Sequence, residues 1–344
     1  QRQMCIRDRY NNVYTTGLAK NDLLVGLRGT TATTGKSSGY LGGVAGFNTV
    51  NGTITGAATG KWFVYGDNTT EESKIGGMIG MNEATGEVKL LVNCAAVRRF
   101  TRTDGKNDDD TTHRNIEKIA YVGGVIGVQQ NTTDDKWVIS ECVNLGTVFD
   151  SGSNYIGGII ASWLKNGGTI EKSFNFGSLS TNTNYGDGSG TVGGIVGFFD
   201  QPTPGGTANI LSCQNHGDIL SCGNWEGDKK HGANDVAGIL GKVVMADGAN
   251  DYLRINIVDC VNGDVSMWCE SLAAGIMGWL GPYGNGGTKI PDKVEVYIDR
   301  CRNYATDVTI YHKSNDTNLF AGICGNRGNG SATSASTTVT NCFA

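Results

Sequence analysis

The sequence predicts an all-β protein, a parallel β-solenoid built from about eight repeats of roughly 40 residues. Three observations lead to this fold class. A short glycine-containing phrase recurs eight times, a second phrase with cysteine and asparagine follows most copies, and no segment sustains the i, i+3, i+4, i+7 apolar spacing of a helix. The chain also has 53 glycines among its 344 residues, which disfavours helices.

The first phrase places adjacent aliphatic residues between glycines or alanines. Its copies read from LGGVAG to FAGICG and begin at Leu41, Ile75, Val122, Ile156, Val192, Val236, Ala273 and Phe320. Aliphatic side chains on both faces of so short a segment are typical of a strand that is buried on both sides. Glycine weakens a strand, so its recurrence indicates a close backbone approach or a bend.

Stacked copies of the first phrase would bury an apolar seam that one copy cannot bury alone. The residue after the second glycine of each copy is predicted to form this inner seam, with equivalent residues about 4.8 Å apart along the axis. The seam residues are Val44, Met78, Val125, Ile159, Ile195, Ile239, Ile276 and Ile323.

The second phrase carries a recurring cysteine, as in ISECVNLGTV and ILSCQNHGDI. One repeat position is assigned to Cys94, Cys142, Cys213, Cys260, Cys301 and Cys342, with Ser173 substituting once. We favour an inward-facing column of free thiols, because stacked parallel neighbours seldom have disulfide geometry. A disulfide and a metal site remain alternatives, although no Cys-x-x-Cys motif supports zinc.

An asparagine stands two residues after most of these cysteines. We expect the column to exchange side-chain amide hydrogen bonds at a corner of the coil, where asparagine also tolerates left-handed backbone. The residues concerned are Asn144, Asn175, Asn215, Asn262 and Asn303.

We divide the chain into three parts. Residues 4–9 read MCIRDR, which is one reading frame of a transposase adapter, and we interpret residues 1–9 as a sequencing-adapter artefact. Residues 10–40 are expected to form a partial N-terminal coil or lead-in. Residues 41–344 form the repeat solenoid, which we expect to be truncated within its last repeat.

Composition narrows the possible partners. The formal net charge is −5, and acidic and basic residues are both thinly spread, which argues against nucleic acid as a partner. No run of 18 apolar residues occurs, so we expect no membrane insertion by this segment. No motif implies a cofactor.

Aromatic residues near the loops are the best candidates for a binding site. Flat rings at loop tips could stack on sugars or anchor a protein partner, although the same rings could instead cap the apolar seam. The candidates are Trp137, Trp163, Trp225, Trp268, Trp279 and Tyr283.

Two further chemistries have weaker candidates. Asp104, Asp108 and Asp110 lie in an acidic cluster that could bind calcium, but the closing glutamate of a calcium loop is missing, so a solvated insertion is the favoured interpretation. Paired carboxylates on one face could hydrolyse or cleave a polysaccharide, yet no spacing selects a pair.

The two phrases together resemble GLUG-type repeats, in which short Gly-Gly-aliphatic units precede a Cys-x-Asn phrase. The resemblance covers about residues 41–344, while the insertions here are longer and more variable. It implies a β-solenoid or a related sheet stack in a bacterial surface or secreted protein. We therefore expect an extracellular or cell-surface location.

The predicted function is structural and adhesive, with loops that bind a glycan or a surface protein of a host or neighbouring cell. One alternative is a polysaccharide-degrading enzyme, a glycoside hydrolase or lyase on a β-helix scaffold. The other is a passive spacer beside a missing catalytic domain.

Overall fold

The computed structural model describes residues 24–28, 39–67, 73–100, 120–130, 137–150, 155–164, 167–181, 190–201, 206–221, 235–245, 252–282, 293–310, 319–325 and 336–344. Every regular element in these residues is a β-strand, and the strands form four parallel sheets, named A to D below. This part of the chain contains no helix that is long and apolar enough to cross a membrane.

One coil of the solenoid passes through sheets B, C, D and A in that order. The strands of sheet A are Leu24–Arg28, Phe63–Asp67, Ala96–Phe100, Val148–Asp150, Leu179–Thr181, Ile219–Ser221, Ser266–Cys269 and Asp307–Ile310. The strands of sheet B are Gly39–Gly42, Ser73–Gly76, Ala120–Gly123, Tyr155–Gly157, Thr191–Gly193, Asp235–Ala237, Leu272–Ala274 and Leu319–Ala321.

Sheets C and D complete each coil. The strands of sheet C are Ala45–Asn48, Ile79–Asn82, Ile126–Gln130, Ile160–Leu164, Val196–Gln201, Leu240–Met245 and Met277–Pro282. The strands of sheet D are Thr55–Ala58, Glu87–Asn93, Val138–Ser140, Val143–Asn144, Gly168–Glu171, Phe174–Asn175, Thr207–Leu211, Gln214–Asn215, Tyr252–Val258, Val261–Asn262, Lys293–Asp299, Arg302–Asn303 and Ser336–Thr340.

Strands pair with their equivalents one coil before and one coil after. Val122 in sheet B, for example, pairs in parallel with Ile75 and with Ile156. The predicted parallel β-solenoid is therefore confirmed. The strand Leu24–Arg28 pairs in parallel with Phe63–Asp67, so the region before Leu41 supplies a strand to sheet A.

The predicted inner seam is also confirmed. Its backbone groups are hydrogen-bonded from coil to coil, as in Met78 N to Val125 O at 2.9 Å and Ile195 N to Ile239 O at 3.1 Å. The side chains from Met78 to Ile276 are fully buried, and the terminal members Val44 and Ile323 are partly buried. Burial of such a column stabilises the stack because no coil can shield its own aliphatic side chain.

Each coil contains two apolar cores with the asparagine column between them. The larger core lies between sheets C and D and includes the seam, whereas the smaller core lies between sheets A and B. The amide of Asn144 reaches from the end of a sheet D strand to the turn between sheets B and C. A Cβ atom on Gly158, in the equivalent turn of the next coil, would stand 2.5 Å from Asn175 Cγ. The second glycine of the phrase is thus required by close approach, as predicted.

The asparagines form the predicted amide ladder. Asn144 Nδ2 donates to Asn175 Oδ1 at 2.8 Å, and the same bond recurs at 2.8–2.9 Å along the column. Asn93 extends the ladder by one coil, and Thr59 caps it by donating its hydroxyl to Asn93 Oδ1 at 2.8 Å. Each neutral bond contributes about 0.5–1.5 kcal/mol of stability.

Left-handed backbone occurs at the corner within sheet D, three residues before each asparagine and not at the asparagine itself. Seven of the corner residues are not glycine and have φ angles between 47° and 57°, and Gly56 takes the same position in the first coil with a φ of 62°. The seven corner residues other than glycine are Leu90, Glu141, Lys172, Ser212, Asp259, Arg300 and Asn341.

Candidate functional site

Two of the predicted binding tryptophans lie in the larger core. Trp137 and Trp163 are each 1% exposed, and their rings meet edge to face with centroids 4.5 Å apart. Trp163 also contacts Phe199 of the next coil at 4.8 Å. Neither indole reaches the surface, so in this structure both are packing residues and not stacking platforms for a ligand.

The other predicted residues are placed differently or lie outside the described part of the chain. Trp268 is half-buried on sheet A and donates its indole N–H to Asp307 Oδ2 at 3.1 Å. Trp279 is half-buried on sheet C with the ammonium of Lys242 4.5 Å above its ring. The candidates outside the described residues are Trp225, Tyr283, Asp104, Asp108 and Asp110.

Most of the predicted cysteines share one position, directly after the left-handed corner residue. Their backbone carbonyls accept from the following coil, as in Val261 N to Cys213 O and Arg302 N to Cys260 O, each at 2.9 Å. Each thiol also donates to the carbonyl two residues earlier, as Cys142 Sγ does to Ser140 O at 3.3 Å. Ser173 makes the same bond to Glu171 O at 2.9 Å, which explains why serine replaces cysteine there.

The assignment of Cys94 to this column was wrong by three residues. Asn93 pairs with Asn144, so Leu91 stands in the column beside Cys142. Cys94 instead follows the asparagine, at a position where its side chain is half-buried. The sequence LLVNCAAV misled the alignment because its cysteine lies after the asparagine and not before it.

The column thiols are buried and chemically quiet. All eight cysteines in the described residues are free thiols. Burial raises the pKa of Cys142 to about 12 and the pKa of Cys260 well above its ordinary value. A thiol that keeps its proton at neutral pH is a weak nucleophile and a weak metal ligand. No cluster of three or more histidine, cysteine or acidic side chains suited to a metal occurs among the residues that the structure describes.

An exposed row follows the strands of sheet D, at the residue directly after each asparagine from Asn144 to Asn303. The sequence did not indicate this position as a candidate. We call the row the outer ridge. Leu145 is 51% exposed, Phe176 is 49% exposed and Tyr304 is 43% exposed. This position is the third residue of the segments VNLG, FNFG, QNHG, VNGD and RNYA. The ridge residues are Leu145, Phe176, His216, Gly263 and Tyr304.

Backbone hydrogen bonds hold the ridge in register. Phe176 N donates to Asn144 O at 2.8 Å, His216 N to Asn175 O at 2.7 Å, and Tyr304 N to Asn262 O at 2.8 Å. The rings of Phe176 and His216 stack with centroids 5.2 Å apart and planes inclined by 11°. His216 Nε2 also lies 3.0 Å from Gln214 Oε1.

An open groove of about 540 Å³ interrupts the ridge at Gly263. His216 and Tyr304 stand on either side of it, one coil before and one coil after Gly263. At its edge, Thr306 Oγ1 donates to Asp264 Oδ1 at 2.6 Å. The full lining is His216, Val261, Gly263, Asp264, Tyr304 and Thr306.

Several carboxylates elsewhere in the described residues form ion pairs. Burial raises the pKa of Asp235, which lies on sheet B with Lys242 Nζ 3.3 Å from its carboxylate. Arg300 lowers the pKa of Asp259 by bonding to both of its carboxylate oxygens. Arg99 and Asp150 form a buried pair at 3.4 Å.

Fold and ridge together define a β-solenoid repeat protein with three exposed rings, Phe176, His216 and Tyr304, at equivalent positions of its coils. Comparison with protein-family models, with the curated proteins and with the solved structures finds no match.

Proposed function

We propose that this chain is an extracellular structural and adhesive repeat region that binds glycans through the outer ridge. One observation carries the proposal: three solvent-exposed rings, Phe176, His216 and Tyr304, stand at equivalent positions of the coils, each held by a backbone hydrogen bond to the coil before. Aromatic faces that are already ordered lose little conformational entropy when a ligand stacks on them.

Polar groups beside the rings favour a glycan over a protein surface. Gln214, Asp264 and Thr306 lie next to the ridge rings and offer donors and acceptors for hydroxyl groups. A sugar presents apolar C–H faces and polar edges, and this matches rings with polar neighbours. A surface protein of a host or neighbouring cell is the alternative partner.

The proposed location rests on the resemblance of the two phrases to GLUG-type repeats. That resemblance supports a surface or secreted bacterial protein. Free thiols are compatible with it, because Cys142 and Cys260 are buried and their raised pKa values protect them from oxidation.

The enzyme alternative needs a protonated carboxyl group and a second carboxylate on the same face. Among the described carboxyl groups, Asp235 has a raised pKa, but it is buried on sheet B and paired with Lys242. The groove at Gly263 contributes Asp264, whose carboxylate accepts a hydrogen bond from Thr306. These positions support binding at the ridge more than bond cleavage there.

The test is a polysaccharide screen of the purified chain that records retention and new chain ends together. We expect retention without cleavage, and we expect the double variant Phe176→Ala/Tyr304→Ala to lose it. The matched control is Tyr40→Ala, because Tyr40 is 42% exposed, like Tyr304, but belongs to sheet B.

Each outcome of the screen selects one function. Retention that survives the ridge variant but disappears with Tyr40→Ala would move the binding site to another face. New chain ends would establish the enzyme alternative. No retention and no cleavage on any polysaccharide would leave the passive spacer as the better description.

A further inference from the structure

The outer ridge lacks one ring. Along the column, Phe176 and His216 stack directly on consecutive coils, Gly263 follows with no side chain, and Tyr304 resumes the row. The groove of about 540 Å³ lies at this gap. The gap stands between two rings and not at an end of the row.

The coil repeat sets the size of the gap. Strand spacing places backbones two coils apart at about 9.6 Å, twice the usual 4.8 Å. A flat ring that enters this groove from solvent can contact Tyr304 within the range of about 4.5–7 Å at which ring centroids interact. His216 leans over the floor of the gap, because its Nδ1 lies 2.5 Å from where a Cβ atom on residue 263 would stand.

The backbone conformation of residue 263 does not require glycine. Its φ is not in the left-handed region, so other residues can adopt the same conformation. A Cβ atom at residue 263 would lie 2.5 Å from His216 Nδ1 and 3.1 Å from Asn215 O, so any side chain there would have to displace the imidazole. Glycine therefore lets the ring of His216 lie over residue 263 and line the groove.

We propose that the groove at Gly263 is a subsite for one neutral pyranose ring of a glycan, which packs against the imidazole of His216 and the phenol ring of Tyr304. The subsite rests on the proposed function and assigns it a position and a sugar class. The two rings face the C–H surfaces of the sugar, while Asp264 and Thr306 at the edge bond its hydroxyl groups.

The negative charge of Asp264 at the edge of the groove favours a neutral sugar. Asp264 is exposed and has Thr306 as its hydrogen-bond partner, so one carboxylate oxygen is available to accept a hydroxyl group. A uronic acid would place a second carboxylate beside Asp264 and be repelled. A phenylalanine side chain from a protein would cover Asp264 without bonding it, which is unfavourable.

The experiment follows the imidazole signal of His216 by NMR during titration with neutral hexasaccharides of the β-glucan, xylan, mannan and chitin series. Oligogalacturonate and N-acetyltryptophanamide are titrated in parallel as an acidic sugar and as a protein side chain. The chain has four histidines, so the His216→Ala variant identifies the signal by its disappearance. We expect at least one neutral hexasaccharide to shift this signal in the wild-type chain.

Two variants test the geometry of the subsite. Gly263→Phe fills the gap with a ring of the protein itself, and Tyr304→Ala removes one wall without adding bulk. Each is expected to weaken binding by about tenfold or more. Gly86→Phe is the matched control, because Gly86 is exposed with open space at its Cβ position and lies away from the ridge.

The outcomes separate this inference from the proposed function. If the chain is retained on a polysaccharide but no saccharide shifts the His216 signal, or if Gly263→Phe binds as well as wild type, the subsite is wrong and the adhesive function stands. A shift with oligogalacturonate alone, or with N-acetyltryptophanamide alone, would replace the neutral sugar by an acidic one or by a protein side chain. No retention and no shift would overturn both.

Discussion

The buried asparagine ladder and the exposed outer ridge occupy adjacent positions of the same phrase, yet they follow opposite rules. Six consecutive coils from Asn93 to Asn303 place asparagine at the inner position. The next residue is in turn cysteine, leucine, phenylalanine, histidine, glycine and tyrosine.

Hydrogen-bond geometry explains the difference. An inner amide must donate to one coil and accept from another, and a neighbour without a partner would be stranded away from water. An outer side chain meets solvent, so any residue fits. Uniformity within a column of a solenoid therefore marks structure, and diversity marks the surface on which recognition can vary without cost to the fold.

The largest expected effect is at the ladder. Asn215→Ala removes bonds to Asn175, Asn262 and Gly217 and leaves buried groups on each of them without a partner. We expect the free energy of unfolding to fall by roughly 3–5 kcal/mol, from about 1–3 kcal/mol for each stranded group.

The matched control is His216→Ala, one residue further along. Its expected change is within about 0.5 kcal/mol, because the imidazole is exposed. Urea denaturation followed by circular dichroism measures both variants. Equal losses for the two would show that the inner and outer columns do not differ as described.

The next effect concerns the glycine that faces the ladder. In Gly194→Ala the new Cβ atom would overlap the carbonyl oxygen of Gly238 and lie 2.5 Å from Asn215 Cγ. Forced backbone shifts of this kind cost about 1–3 kcal/mol. Gly86→Ala is the control, since nothing lies within 4 Å of its Cβ position, and we expect it to be neutral or slightly stabilising in the same denaturation experiment.

The last effect is the smallest at neutral pH and appears only at alkaline pH. The pKa of Cys142 is raised to about 12 in the folded chain, whereas an unfolded cysteine titrates near 8.5. Above that pH the unfolded chain loses the proton and the folded chain keeps it. Cys142 should therefore lower the free energy of unfolding by about 1.4 kcal/mol for each pH unit up to about 12.

Cys142→Ser isolates this contribution. Serine already fills the equivalent position at Ser173, so we expect the variant to match wild type near pH 7. Between pH 9 and about 11 the wild type should lose stability faster than the variant. Parallel stability profiles of the two proteins across this range would contradict the buried-thiol account.

Periodic features of the fold were predictable from the sequence. The seam from Val44 to Ile323 repeats with one chemistry in every copy, and the asparagine column does the same. In a stacked coil such positions bond or pack with their own equivalents, so the repeat itself predicts the contact.

The orientation of a side chain was not predictable where neighbouring residues have similar chemistry. Trp137 lies directly before the strand Val138–Ser140 and Trp163 lies within the strand Ile160–Leu164, and nothing in their spacing shows that their rings turn into the larger core. The strand register places Cys94 outside the cysteine column, because the pairing of neighbouring coils aligns Asn93 with Asn144 and not Cys94 with Cys142. The outer ridge was missed because its members share exposure and not residue type.

Coil-to-coil bonding gives the chain a mechanical property suited to an adhesive stalk. Each coil contacts only its neighbours, so tension along the axis should detach coils one at a time, each when its rung of the asparagine ladder breaks. A coil of roughly 40 residues spans about 4.8 Å when folded and about 140 Å when pulled straight. We expect single-molecule pulling to show a sawtooth of such steps, in which the solenoid lengthens under load while the outer ridge on the remaining coils keeps its shape.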